Sequence, residues 1–176
     1  MRRKQIKLGH ELAVMNEFVK WWNSRASKKL KVISMPDPPD AILQYGNAYI
    51  WIEHADVYRS PDEAHEEYAY VTAEEPQFTH REHPIYEPDE KTAIAFVNTL
   101  DNKLSKESYS KFNEKYSQGI LILTERDPLF STSTLTAICT KIRGLKLSSD
   151  RCYFREAYIG YRTTKGLDFL KVYPMR

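Results

Sequence analysis

The sequence predicts an α/β domain in which a central mixed β-sheet is flanked by helices. Helical and strand patterns alternate along the chain, in the order helix, strand pair, helix, strand, helix, strand pair. The segment YIWIEHADVY is rich in the β-branched and aromatic residues that favour strands. GILILT is a short continuous apolar run, typical of a strand that is buried on both faces of a sheet.

The first half of the chain predicts a helix followed by an antiparallel strand pair. A helix is expected over 7–22, because apolar residues recur there at steps of three and four. Prolines then interrupt an apolar stretch and predict strand ends at 32–35 and 41–44 around a bend. The turn residues of 45–48 join 41–44 to a strand over 49–57. The apolar stripe of the first helix consists of Leu8, Leu12, Met15, Phe18, Val19 and Trp22.

The second half predicts the rest of the sheet and the helices that cover it. A helix is expected over 92–116, a strand over 119–124, a helix over 131–145 and a final strand pair over 151–162 and 166–174. The apolar face of the helix over 92–116 is assigned to Ile94, Val97, Leu100 and Leu104. Residues 60–91 are polar, acidic and interrupted by prolines, so they predict a long insertion within a single domain of residues 1–176.

Composition excludes several classes of protein. A chain of 176 residues, 41% hydrophobic and 28% charged, fits one compact domain. With no membrane-length apolar run and no export signal, a cytoplasmic location without membrane association is expected. Cys139 and Cys152 have no metal-ligand spacing, and no glycine-rich phosphate loop is present. The net charge of +2 is too small to indicate nucleic acid by itself, although basic residues concentrate in two segments: Arg2, Arg3, Lys4 and Lys28, Lys29, Lys31.

Three carboxylates lie in segments that are expected to be buried. On the strand over 49–57, alternation gives Glu53 the same face as Trp51 and directs His54 to the other. A buried carboxylate needs a cation, a metal or a proton. Asp40 begins the neighbouring strand, and Glu11 lies on the stripe of the first helix. Three acids that approach one point would suit Mg²⁺, and the chemistry expected of such a site is phosphodiester hydrolysis.

At these residues the sequence resembles the PD-(D/E)xK nuclease superfamily, over roughly residues 8–123. Pro39-Asp40, twelve intervening residues and then Glu53-His54-Ala55 match the order and spacing of the family motif. Glu11 has the place of the first-helix glutamate. The resemblance implies a restriction-endonuclease-like fold in which Asp40, Glu53 and Glu11 hold Mg²⁺ or Mn²⁺.

The chain departs from the family at the motif lysine, where it has Ala55. Some members of the superfamily carry this lysine on a neighbouring element, and Lys103 is the candidate here, with Lys111 behind it. His54 cannot replace it easily, because alternation directs its side chain to the opposite face. The resemblance therefore implies a catalytic set of Asp40, Glu53 and Lys103.

The leading functional hypothesis is a metal-dependent endonuclease that acts on DNA. The basic residues at positions 2–4 and at 28, 29 and 31 are expected to follow the nucleic-acid backbone without reading its sequence. Cutting both strands of a duplex would favour a symmetric homodimer. The alternative is a catalytically degenerate protein of the same fold that binds nucleic acid or a protein partner without cleavage.

Each residue also has a purely structural interpretation. Asp40 could accept a backbone N–H after the prolines, and Glu53 could pair with Lys103 or Arg59. His80 and His83 are three residues apart but are expected in an exposed loop rather than in a metal site. Several tyrosines could stack on unpaired bases, although strands use tyrosine equally often: Tyr58, Tyr68, Tyr70, Tyr86, Tyr109 and Tyr116.

Overall fold

The computed structural model describes residues 3–60, 62–63, 87–125, 130–145 and 153–174. It contains a six-stranded mixed sheet with helices packed on both faces, which confirms the predicted α/β class. The helices are α1 (Arg3–Arg25), α2 (Pro88–Leu104), α3 (Ser110–Lys115) and α4 (Thr132–Gly144), with a 3₁₀ turn at Glu107–Tyr109. The strands are β1 (Leu30–Ser34), β2 (Ala41–Tyr45), β3 (Ala48–Val57), β4 (Gly119–Glu125), β5 (Phe154–Thr163) and β6 (Gly166–Tyr173).

The strands lie side by side in the order in which they follow one another along the chain. β1, β2 and β3 form an antiparallel meander, β3 to β5 are parallel neighbours, and β6 returns antiparallel to β5. The predicted pairing of 41–44 with 49–57 is confirmed, because Leu43 pairs with Ile50. The connecting turn uses Gly46 at a φ of 63°, a conformation that glycine adopts without steric cost.

Helix α1 covers one face of the sheet with a stripe that differs from the predicted one. Val14, Met15 and Phe18 are buried against apolar side chains of β2 to β6, and Glu11 is buried beside them. Leu8 and Leu12, which the sequence assigns to this stripe, are 48% and 43% exposed. The steps of three and four indicate a helix correctly, but they do not reveal how that helix is rotated about its axis when it docks on the sheet.

The opposite face is covered by α2, α3 and α4. Helix α2 buries Ala93, Phe96, Leu100 and Leu104, whereas Ile94, which the sequence assigns to that face, is 44% exposed. The single helix expected over 92–116 is instead two helices with the 3₁₀ turn between them. This break brings the 3₁₀ turn and α3 over Trp51, where the Trp51 ring meets the rings of Tyr109, Phe112 and Phe154.

The insertion predicted at 60–91 ends earlier than expected, because α2 begins at Pro88. Residues 61 and 64–86 lie outside the described part of the chain, and so do His80 and His83. The final hairpin is confirmed, with Gly166 at its turn. Within the described ranges, no helix is both long and apolar enough to cross a membrane.

Candidate functional site

Asp40 and Glu53 are neighbours across the β2–β3 hairpin. Ala41 pairs with Ile52, so Asp40, just before β2, stands opposite Glu53 in the continuation of the same register. Both residues are buried, with 7% and 8% of their surface exposed. The tight turn that the sequence predicts between the two strands is what brings these acids together.

Within the described ranges, the hydrogen bonds to the Glu53 side chain all reach the same carboxylate oxygen, Oε1. Lys103 donates to Glu53 Oε1 at 2.7 Å, and the hydroxyl of Tyr109 donates to the same oxygen at 2.9 Å. Glu53 Oε2 is buried and has no hydrogen-bond partner among the described residues. Lys103 is one of the two partners that the sequence suggests for this carboxylate, although 50 positions separate the two residues. Arg59, the other suggested partner, pairs with Glu63 at 2.6 Å.

Tyr109 is a residue whose contact with Glu53 the sequence does not indicate. The sequence offers Tyr109 as one of several tyrosines that could stack on bases. In the structure its side chain is buried, and its hydroxyl donates a hydrogen bond to Glu53. Burial, followed by the negative charge of Glu53, raises the pKa of Tyr109 well above its usual range. The phenol therefore remains a hydrogen-bond donor to the carboxylate throughout the physiological pH range.

Asp40 is a carboxylate whose charged form is disfavoured by its surroundings. Its Oδ2 accepts the backbone N–H of His54 at 2.7 Å, which favours the charged form. Burial and the charge of Glu53 outweigh this hydrogen bond and raise the pKa of Asp40 to about 7. Glu11 contributes in the same direction from α1. Near neutral pH, Asp40 is therefore partly protonated, and its ionised form adds a second negative charge beside Glu53.

Glu11 lies at the edge of this group rather than at its centre. It forms an ion pair with Lys7 at 3.2 Å, one turn earlier in α1. Among the described residues, Glu11, Asp40 and Glu53 do not form a set whose ligand atoms all lie within 4.8 Å of one another. The site is therefore a pair, Asp40 and Glu53, with Glu11 adjacent.

The lysine candidates differ sharply in position. Lys103 reaches the carboxylate pair, whereas Lys111 Nζ lies over the ring of Phe112, 5.0 Å from its centroid. Lys106 adds positive charge near the site, with its Nζ 5.4 Å from the centroid of the Tyr109 ring. Lys103 and Lys106 thus both contribute positive charge near Glu53 and Tyr109.

The basic segment at 28–31 does not adjoin this site. Lys28, Lys29 and Lys31 are exposed, and Lys31 pairs with Gln44 near the end of β2 that is remote from Asp40. Arg2 lies outside the described residues, as do the side chains of Arg3 and Lys4. Any contact between the 28–31 segment and nucleic acid would be distant from the carboxylate pair.

A second polar cluster lies on the other face of β3, under α1. His10 Nε2 lies 2.9 Å from Asp56 Oδ1, and His54 Nε2 lies 3.5 Å from the same oxygen. The Thr124 hydroxyl donates to Asp56 Oδ1 at 2.7 Å and lies 2.7 Å from His54 Nε2. Burial alone would raise the pKa of Asp56, but the hydrogen bond from His10 and the attraction of both histidines lower it to about 2.

Strand alternation assigns His54 to its correct face but does not indicate this cluster. His10 is 46 positions from Asp56, and only the docking of α1 joins them. No spacing rule connects a helix residue with a strand so far along the chain. Within the described ranges, His10, His54 and Asp56 form the only group of three potential ligands that lie within 4.8 Å of one another, so this group could hold a metal ion.

Comparison of the chain with models of protein families, with curated proteins and with solved structures gave no match. The geometry of the two clusters is therefore what bears on function.

Proposed function

We propose that this protein is a Mg²⁺-dependent nuclease with a restriction-endonuclease-like fold, which hydrolyses phosphodiester bonds of DNA. The observation that carries the proposal is the unpaired, buried Oε2 of Glu53 beside Asp40. When both neighbouring carboxylates are ionised, their two negative charges are offset within the described residues by one bonded ammonium group, that of Lys103. A divalent cation that takes oxygen ligands would remove this imbalance.

The element order supports the same proposal. A first helix, three antiparallel strands, a helix and a parallel strand occur over the segment in which the sequence resembles the PD-(D/E)xK nucleases. Asp40 precedes β2, Glu53 lies within β3, and Glu11 lies on α1. These positions agree with the motif order that the resemblance implies.

Each residue has a defined role in the proposed reaction. Asp40 and Glu53 hold the cation, and Glu11 assists from α1. Bound Mg²⁺ would neutralise phosphate charge and lower the pKa of a water molecule. Lys103 either orients the attacking water or neutralises the phosphate. Water adds to phosphorus, one P–O ester bond breaks, and the products are a phosphate monoester and a free hydroxyl group.

A second candidate function is favoured by Ala55 and by the ion pair of Lys103. The motif position carries no amine, and Lys103 Nζ is already bonded to Glu53 Oε1. A protein that keeps this pair intact would bind nucleic acid or a protein partner without cleaving nucleic acid. DNA binding that is unaffected by EDTA and by Glu53→Gln would favour this alternative.

Metal binding is tested by calorimetric titration of Mg²⁺ and Mn²⁺ into EDTA-treated protein. Wild type is expected to bind, and Glu53→Gln, which keeps the shape but removes the charge, is expected to lose binding. Asp101→Asn is the matched control, since it removes an exposed carboxylate of α2 that is close in sequence to Lys103. Equal heats for Glu53→Gln and wild type would contradict a site at this pair.

Catalysis is tested by incubation of supercoiled plasmid with wild type and variants in Mg²⁺ or Mn²⁺. We expect Asp40→Asn and Glu53→Gln to reduce cleavage by about 100-fold or more, a loss typical of an essential electrostatic group. Lys103→Met should lose activity, whereas Lys111→Met should retain it because Lys111 does not reach the pair. Activity that is insensitive to EDTA and to all of these substitutions would indicate a contaminating nuclease and refute the proposal.

A further inference from the structure

We propose that His10, His54 and Asp56 form a second metal site, which takes a first-row transition metal such as Zn²⁺ rather than Mg²⁺. The site lies on the α1 face of β3, whereas Glu53 belongs to the opposite face. The second site is independent of the nuclease function, because its ligands are not those of the Asp40–Glu53 pair.

The chemistry of the ligands selects the type of metal. Two imidazole nitrogens and one carboxylate oxygen suit zinc and its neighbours in the first transition row, whereas Mg²⁺ prefers oxygen ligands only. Three protein ligands with a position left for water are the usual complement of a catalytic zinc site. The ligand atoms of this cluster therefore differ from those of the carboxylate pair. We expect the cluster to prefer zinc and the carboxylate pair to prefer Mg²⁺.

The three ligand atoms lie within 4.8 Å of one another, and two of their separations are close to those around a tetrahedral ion. Ligand atoms about 2.0–2.2 Å from a tetrahedral metal stand about 3.3–3.6 Å from one another. The separations of His10 Nε2 and His54 Nε2 from Asp56 Oδ1, 2.9 Å and 3.5 Å, are close to this range.

The hydroxyl of Thr124 is suited to orient the carboxylate ligand. It donates to Asp56 Oδ1 at 2.7 Å from the neighbouring strand β4. Partners of this kind, which do not touch the metal, fix the direction of the ligand that does. On metal binding, His54 Nε2 would exchange its contact with Thr124 for the metal, while the bond from Thr124 to Asp56 persists.

A route from solvent reaches the cluster. A cavity of about 450 Å³ is lined by His10 and Thr124, together with Glu17, Lys20, Arg162 and Lys165. The side chain of His54 is only 3% exposed and that of Asp56 11%, while His10 is 27% exposed. His10 is therefore the ligand that faces the cavity, and an ion would enter past its ring.

The test is calorimetric titration of Zn²⁺ into the full-length, EDTA-treated protein, together with the visible absorption of the Co²⁺ form. About one zinc per chain and a Co²⁺ spectrum typical of low coordination number are expected. His10→Asn and Asp56→Asn should each weaken binding at least about tenfold, and Thr124→Val should weaken it by about 10- to 100-fold. Glu17→Gln is the matched control, because Glu17 lines the same cavity but is not one of the three ligands.

Two further measurements separate the second site from the nuclease site. Glu53→Gln should keep Zn²⁺ affinity while losing Mg²⁺, and His10→Asn should do the reverse. Far-ultraviolet circular dichroism of each variant shows whether it is folded, and Thr124→Val gives a second route should a histidine variant not fold. Absence of Zn²⁺ binding in wild type, or binding that is lost in Glu53→Gln but kept in His10→Asn, would overturn the second site.

Discussion

The backbone N–H of His54 donates to Asp40 Oδ2 at 2.7 Å, while the His54 side chain belongs to the cluster on the opposite face of the sheet. One residue of β3 thus contacts both polar groups of the molecule. Its main chain supports the carboxylate pair, and its imidazole meets Asp56 and Thr124. Substitutions that remove only the side chain of residue 54 should leave the hydrogen bond to Asp40 in place.

The contribution of Asp40 to the stability of the metal-free protein should fall as pH rises from about 4 to about 7. Folding raises the pKa of Asp40 to about 7, so the folded state binds its proton more tightly than the unfolded state does. The stabilisation is complete below the unfolded pKa and is lost as pH rises through the folded value. Asp40→Asn keeps an acceptor for His54 N–H and removes the ionisation. Its free energy of unfolding at pH 8 should exceed that of wild type by about 2–4 kcal/mol.

Urea denaturation in EDTA at pH 5 and pH 8 measures this effect. For each protein, the free energy of unfolding at pH 5 is compared with that at pH 8. Subtracting the change in Asp40→Asn from the change in wild type cancels the contributions of the other titrating groups. The two proteins would show the same change if Asp40 titrated normally in the fold.

Lys103 and Glu53 should be strongly coupled in a double-mutant cycle. Lys103→Met leaves the buried carboxylate with Tyr109 as its remaining donor among the described residues, and should lower the free energy of unfolding by about 1–3 kcal/mol. Glu53→Gln in the same background removes the unpaired charge and should restore most of the loss. Chemical denaturation of the four proteins gives the coupling energy, and additive effects would show that the two side chains do not interact in solution.

Gly119 should tolerate no side chain. A Cβ atom at this position would lie 2.5 Å from Cε2 of Trp51, whose ring is fully buried. Gly119→Ala is expected to destabilise the fold by about 1–3 kcal/mol, the usual effect of overpacking a core. Gly144→Ala is the control, since nothing lies within 4 Å of its Cβ. Thermal unfolding of both variants tests this, and equal melting temperatures would mean that Trp51 can move aside.

The basic residues at 28, 29 and 31 should affect DNA affinity but not the chemical step. They are remote from Asp40, so their replacement by alanine should weaken interactions with phosphate groups and leave the carboxylate pair in place. The same change also removes the bonds from Lys29 Nζ to the carbonyl oxygens of Asn23 and Ala26. The slope of log affinity against log salt should become shallower by about 0.9 for each phosphate group that is no longer neutralised. Fluorescence anisotropy at several salt concentrations measures this slope, and an unchanged slope would exclude these lysines from the interface.

The carboxylate pair could be predicted from sequence because its geometry is local. Asp40 and Glu53 lie on adjacent strands joined by a tight turn, so alternation and the turn together fix their approach. Lys103 could be suggested because the resemblance allows the motif lysine to lie on a neighbouring element, here the lysine-rich helix. These inferences depend on spacing and periodicity, which are properties that a sequence displays.

Contacts that depend on docking could not be predicted in the same way. Tyr109 reaches Glu53 only because the chain leaves α2 at Leu104 and forms a 3₁₀ turn, which the continuous helical pattern over 92–116 concealed. His10 meets Asp56 only through the rotation of α1 on the sheet, and the same rotation exposes Leu8 and Leu12. The periodicity of the apolar residues identifies the helix, but it does not show which of its faces packs against the sheet.

The strand order also has a consequence for the path of folding. Leu30 pairs with Tyr45, 15 positions along the chain, whereas Ile52 pairs with Ile120, 68 positions along. Short loops close at lower entropic cost, so the meander of β1 to β3 should form before the central parallel pairs. Asp40 and Glu53 would then meet before α2 delivers Lys103, and the nascent hairpin must form against their mutual repulsion. We therefore expect the metal-free Asp40→Asn chain, in which this repulsion is absent, to refold faster at pH 8 than the wild-type chain.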